Sequence, residues 1–351
     1  MAEEKKPGGS HMSAATARRA LLAVAVGAVV AAVATIYITG GFRNDSDLQV
    51  QSPGAKTTGA VAGEAFGTAD TGVCLNWDKP DFSDLSQVDC GQPHKFEVAE
   101  SIDLSNYPSR EFGPGSRFPD SIRLAEINSE ICAPAVKQYL GARFDPDGRF
   151  FISVINPGEK GWAEGERTIR CGLEQPGKVA GTRFPITGRV KDQDQSRVYQ
   201  PGTCLGVDDA GQATDPSDCA KPHAIEVVAE VDLGPVFTGG PPAEADQDKF
   251  LDSHCIKATA DYLGSPTAVT DKTLTPFYGT IDSVSWLAGS RKVNCMVGKG
   301  ENERFAPIEG SAKGDILING QKPVPPPKLP EGRSLPTPLP GAAPVPGLPP
   351  R

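Results

Sequence analysis

At 351 residues, with 33 Pro and 39 Gly, the chain is long enough for two or three domains, but too rich in turn formers for all of it to pack. A formal net charge of -9 and a pI near 5.1 argue against a nucleic-acid binder, which would carry a concentrated basic face. Aromatics make up only 7% of residues, so small domains would need more than core burial, and eight cysteines can supply it.

Residues 1–19 read as a short cytoplasmic tail carrying Lys5, Lys6, Arg18 and Arg19. Residues 20–39 contain no charge and are dominated by Ala, Val, Leu and Ile, about the length that crosses a bilayer as a transmembrane helix. Only Arg43 lies close behind, so the positive-inside tendency keeps the N-terminus in the cytoplasm and places everything after Gly41 outside. This predicts a single-pass protein of the plasma membrane with an extracytoplasmic C-terminus. The same stretch also reads as a cleavable signal peptide with Ala32-Val33-Ala34 as its cut. The apolar run continues through Ile36, Tyr37 and Ile38, which favours the anchor. Residues 43–68 lack sustained hydrophobic periodicity and read as a flexible stalk.

An internal repeat follows. Gly72-Val73-Cys74-Leu75 is matched by Gly202-Thr203-Cys204-Leu205, and Cys90-Gly-Gln-Pro93-His94 by Cys219-Ala-Lys-Pro222-His223, each leading to Glu-Val at Glu97-Val98 and Glu226-Val227. Cys132 precedes Tyr139-Leu140-Gly141 as Cys255 precedes Tyr262-Leu263-Gly264. Trp162, Gly165, Arg167, Ile169 and Cys171 are matched by Trp286, Gly289, Arg291, Val293 and Cys295. Two tandem modules are therefore expected, at 69–176 and 198–300.

In each module a half-buried strand is predicted after the histidine, from Phe96, Val98, Ile102 and Leu104 in one copy and Ile225, Val227, Val231 and Leu233 in the other. A main helix is predicted over 243–263 with Gly264 as its C-terminal cap, and Pro134 should kink or split the corresponding helix of the first module. The Trp-to-Cys motif reads as a hairpin turning at Gly165 or Gly289. The expected class is α+β: a small antiparallel sheet with one main helix in each module. From residue 322 to 351, twelve of thirty residues are Pro, a disordered polyproline-like tail that could reach on the order of 90 Å.

Four cysteines per module in an exported chain point to disulfides. Of the three pairings possible in each, we favour Cys74–Cys90 with Cys132–Cys171, and Cys204–Cys219 with Cys255–Cys295. A metal site is not expected, because Cys90 and His94 have no second close ligand pair to complete it. No cofactor is implied.

Candidate binding residues are His94, Glu97, Trp162, Arg167, His223, Glu226, Trp286 and Arg291. A His-Glu pair could do acid-base chemistry, yet residues three apart on a strand face opposite ways and would meet only across a bulge or turn. Each Trp reads better as a cover for the core, with its Arg stacked on it, than as a platform for a sugar or peptide. His254 reads as an ordinary helix residue. With no nucleophile elbow, phosphate loop or metalloprotease motif in the exported part, no catalytic residue is assigned and the chain is read as a non-enzyme.

The Cys-x2-Pro-His segments at 90–94 and 219–223, the mid-module cysteine before Tyr-Leu and the closing Trp-to-Cys motif resemble the septum-formation domain family of actinomycete envelope proteins. The resemblance covers about 72–173 and 202–297. It implies a membrane-anchored extracytoplasmic role in septation or cell-wall assembly, with cell-wall polymer or division and wall-synthesis proteins as partners, and it carries no catalytic residues with it. The sequence favours a binding or scaffolding protein. The alternatives are a wall-active hydrolase or transferase, or the sensing half of a signalling complex.

Overall fold

In the computed structural model, which describes residues 63–141 and 143–326, two large antiparallel sheets follow one another along the chain, and residues 300–305 form a separate two-stranded one. The expected tail at 1–19, the apolar segment at 20–39, the stalk up to residue 62 and the proline-rich end beyond 326 lie outside the described residues. Among the described residues no helix is long and apolar enough to cross a membrane.

The first half opens with α1 (Glu64–Gly67), which seats Phe66 among Leu75, Trp77, Phe96 and Val98. Arg170 donates to the carbonyls of Phe66 and Gly67 and lies 4.7 Å from the Phe66 ring. Residues 63–68 thus belong to the fold and not to a stalk, because a buried aromatic and a buried guanidinium hold them.

Strands β1 (Cys74–Asn76), β2 (Ser86–Val88) and β3 (Phe96–Asp103) come next. Asp120 caps α2 (Ser121–Ile127) by accepting from the Arg123 amide, and a π-helical turn over Asn128–Cys132 leads into α3 (Ala133–Tyr139). Pro134 lacks the amide that would hold a tight turn there, which accounts for the widening and for the two-piece helix. Then come β4 (Phe151–Ile155), α4 (Gly158–Ala163), β5 (Thr168–Pro176) and β6 (Arg183–Phe184). The sheet order is β2-β1-β3-β5-β4, with β6 on β5.

The second half contains β7 (Cys204–Val207), β8 (Ala213–Ser217) and β9 (His223–Asp232), then α5 (Glu244–Leu263), ended by Gly264 at φ 78° as expected. It continues through α6 (Ala268–Asp271), β10 (Thr275–Tyr278), α7 (Ser283–Ala288) and β11 (Lys292–Gly298). Four two-residue strands close it: β12 (Gly300–Glu301), β13 (Arg304–Phe305), β14 (Ile308–Glu309) and β15 (Leu317–Ile318). Its order is β8-β7-β9-β11-β10, the same as in the first half, with β14 added to β9 and β15 to β14.

The pairing continues past the boundaries drawn from the cysteines. Ile186 bridges to His94 and Ile308 to His223, so each half is closed by a segment beyond residue 176 or 300.

The four disulfides are Cys74–Cys90, Cys132–Cys171, Cys204–Cys219 and Cys255–Cys295. In each half the first ties β1 or β7 to the turn before the histidine. The second fastens the helix to the central strand β5 or β11, with both sulfurs in the core.

The expected Trp-to-Cys hairpin is absent. Trp162 and Trp286 sit on the short helices α4 and α7, and Asp282 caps α7 by accepting from the Ser285 amide. Gly165 at φ 99° and Gly289 at φ 105° end these helices rather than turning two strands.

The halves are bolted together by polar contacts. The buried Asp145 carboxylate accepts from the Ser285 hydroxyl at 2.8 Å and the Ser290 hydroxyl at 2.5 Å. Asp194 and Ser196, on the connecting segment, accept from the Arg291 and Lys292 amides, and Asn294 exchanges two hydrogen bonds with the Tyr199 backbone.

Candidate functional site

The His and Glu of each motif are pulled inward by register. On β9, Gly206 pairs with His223 and Leu205 with Ile225, leaving Ala224 as a bulge between them. In the first half His94 lies just before β3 and bridges to Ile186 instead. The pair was expected to face apart. Here one ligand atom each from Cys74, His94 and Glu97 lie within 4.8 Å of one another, because His94 is not in the regular alternation of β3.

Both carboxylates accept donors from the protein. Glu97, 0% exposed, accepts from the Tyr139 hydroxyl at 2.6 Å and from the Val190 amide at 2.7 Å. Glu226, 1% exposed, accepts from the Tyr262 hydroxyl at 2.6 Å, the Ser311 hydroxyl at 2.9 Å and the Ala312 amide at 2.6 Å. Burial first, and the bond to the carboxylate second, push the Tyr139 and Tyr262 hydroxyls well above the usual tyrosine range.

The donors at Val190 and Ala312 come from an element that the sequence reading did not use. Pro185-Ile186-x-Gly188 is matched by Pro307-Ile308-x-Gly310. In both halves the Ile pairs with the histidine, the Gly amide donates to the carbonyl of the second cysteine, and the amide two residues further on reaches the Glu. The glycines have φ 86° and 93°, and a Cβ at Gly310 would meet the Asp315 carbonyl at 2.5 Å, so this fold-back requires Gly. The signal was present in the sequence but outside the span bounded by cysteines.

The imidazoles are held by their own turns. His94 Nδ1 lies 2.9 Å from the Gln92 carbonyl, and His223 Nδ1 2.9 Å from the Lys221 carbonyl. A carbonyl only accepts, so each Nδ1 carries a proton and Nε2 is the nitrogen left for any other partner. With both histidines buried, neither His-Glu pair meets solvent.

The Trp-Arg motif is likewise interior. Trp162 is 3% exposed and Trp286 2%. The Arg167 guanidinium lies 4.1 Å from the Trp162 ring centre and that of Arg291 3.9 Å from Trp286. Each Arg also donates to the carbonyl of its Trp, and Arg167 to Phe112. The Trp162 indole donates to the Ser116 carbonyl. A cleft of about 630 Å³ opens beside the first of these motifs, lined by Phe112, Ser116, Phe118, Glu159 and Glu164 together with Trp162, which stays 3% exposed. His254 stacks on Phe250 on α5 at 5.2 Å.

In the disulfide-bonded protein these groups do not fit a metal. The sulfurs of Cys74, Cys204 and Cys219 are spent in S–S bonds, so neither cluster offers a thiolate.

A family model described as "Septum formation" matches residues 71–295, across both halves. Two relatives, each described as an uncharacterized membrane protein of Mycobacterium tuberculosis, one from strain CDC 1551 / Oshkosh and one from strain ATCC 25618 / H37Rv, are 40% identical over 341 residues. The match covers 95% of this chain and 76% of theirs. No solved structure matches.

Proposed function

The chain belongs to the septum-formation family, and on that premise we propose that it is a membrane-anchored, extracytoplasmic binding or scaffolding protein of the division septum or of cell-wall assembly. The proposal includes a single N-terminal span with the N-terminus inside, and two copies of one disulfide-stapled module outside. The observation that carries the non-catalytic reading is that the chemistry-bearing motif residues are closed off from solvent: His94, Glu97, His223 and Glu226 are buried, and both carboxylates accept from tyrosine and backbone donors.

Further support comes from the relatives, which are described as membrane proteins, and from four disulfides, which suit an oxidising compartment. Two similar surfaces on one tether gain avidity when both engage a repetitive target such as a wall polymer. The proline-rich end supplies a spacer toward wall polymer or division proteins.

A fluorescent fusion imaged in dividing cells, with crosslinking from the proline-rich end, tests the proposal. Midcell enrichment with capture of wall-synthesis or division proteins is expected; a uniform membrane distribution with no capture contradicts it. Replacing His94 and His223 by Ala tests the non-catalytic part. The expected outcome is lost stability; a wall-cleaving activity abolished with the fold intact would overturn that part.

A further inference from the structure

The His94 side chain is fully buried, its Nδ1 is committed to the Gln92 carbonyl, and its Nε2 has no hydrogen-bond partner. An unpartnered buried nitrogen is costly and calls for a reason. The ring shares a 4.8 Å cluster with Cys74 and Glu97, and Cys90 is bonded to Cys74. A proton held on one ring nitrogen by a backbone carbonyl, leaving the other lone pair free, is how metal-bound imidazoles are oriented. Glu97 is oriented in turn by Tyr139 and Val190.

We infer that reduction of Cys74–Cys90 converts this cluster into a site for a zinc-class divalent cation, held by the two thiolates, His94 Nε2 and a Glu97 oxygen. Two sulfurs, one nitrogen and one oxygen make a four-coordinate set suited to zinc; ligand atoms of Cys74, His94 and Glu97 already lie within 4.8 Å of one another, and the Cys90 sulfur, released from its 2.03 Å bond to Cys74, completes the set. A dithiol supplies the electrons: it becomes a disulfide, the S–S bond breaks to two thiols, and the arriving cation displaces the two thiol protons to solvent. In the oxidised protein both sulfurs are spent on each other and the site is closed. Cys132–Cys171, which belongs to no such three-residue cluster among the described residues, is the built-in control.

The test uses the full chain reduced with a trialkylphosphine, which takes oxygen from water to become the phosphine oxide as the S–S bond opens to two thiols, with and without Zn²⁺, pulsed with a thiol-alkylating reagent and read by peptide mass. Half-buried Cys90 is the reporting thiol. Zn²⁺ should slow its alkylation by at least about tenfold, leave Cys132 and Cys171 unchanged, and lose this protection in His94→Gln. No zinc-dependent change at Cys90, equal protection of all four cysteines, protection that survives His94→Gln, or equal zinc uptake by the unreduced chain each overturns the inference. The contrast between the two cysteine pairs is read in the native chain, so it stands even if the variant does not fold.

Discussion

The two halves share a strand order, a disulfide pattern and a buried Glu-Tyr contact, yet they build their helices differently. In the second half α5 runs unbroken for 20 residues and one large cluster, with Leu251, Cys255, Trp286 and Cys295 in it, forms most of the core. In the first half a π-helical turn divides the helix, and the core is split among three smaller clusters around Phe66, Cys132 and Phe150. What stays fixed is the sulfur-to-strand attachment and the carboxylate that gathers donors from the helix and the closing segment. These are the framework, and the helix is what it tolerates varying.

The largest expected effect comes from the helix-to-strand disulfides. Sequence separations of 39 and 40 give nearly equal loop-entropy terms, about 4 kcal/mol each when both cysteines become Ala. Denaturant midpoints should therefore fall alike, whereas far-ultraviolet circular dichroism should show greater helix loss for Cys132/Cys171, where the helix is already interrupted. Equal helix loss would break the distinction between the halves.

Replacing the carboxylates by amides sharpens it further. Glu226 gathers three donors and Glu97 two, so Glu226→Gln should cost about 3 kcal/mol and Glu97→Gln about 2 kcal/mol, measured by chemical denaturation. The reverse order would mean that the Pro-Ile-x-Gly segment matters less than its hydrogen bonds suggest.

Ser290→Ala tests whether the halves unfold together. It removes one of the hydroxyls on buried Asp145 and should cost about 1–2 kcal/mol, splitting a single calorimetric transition into two. A single unsplit transition would assign the coupling to Asp194 and Ser196 instead.

The smallest effect is alkaline. Burial first, and the neighbouring carboxylate second, hold the Tyr139 and Tyr262 hydroxyls above the usual tyrosine range. The stabilisation is fully present below about pH 10 and is lost as pH rises, because the unfolded chain releases those protons first. Tyr139→Phe and Tyr262→Phe should each flatten the fall in stability above pH 10, measured by denaturant midpoints.

Much of this framework was legible because it is written in residues that recur. The cysteine spacing carried the disulfide partners, and Gly264, placed as a C-terminal cap, carried the end of α5. The Trp motif misled because Gly after a short apolar run suits a helix end as well as a hairpin, and only the Asp282 cap and local backbone decide between them. The meeting of His94 and Glu97 was missed because a strand period of two says nothing of where the pairing leaves register. The Asp145 bolt was not legible at all: its partners, Ser285 and Ser290, lie 140 and 145 residues away.

Non-reducing peptide mapping of native material is the most direct single test of the framework. Four linked pairs should be recovered, Cys74 to Cys90, Cys132 to Cys171, Cys204 to Cys219 and Cys255 to Cys295. A bridge joining a cysteine before residue 176 to one after residue 198, or unlinked thiols in their place, would contradict it.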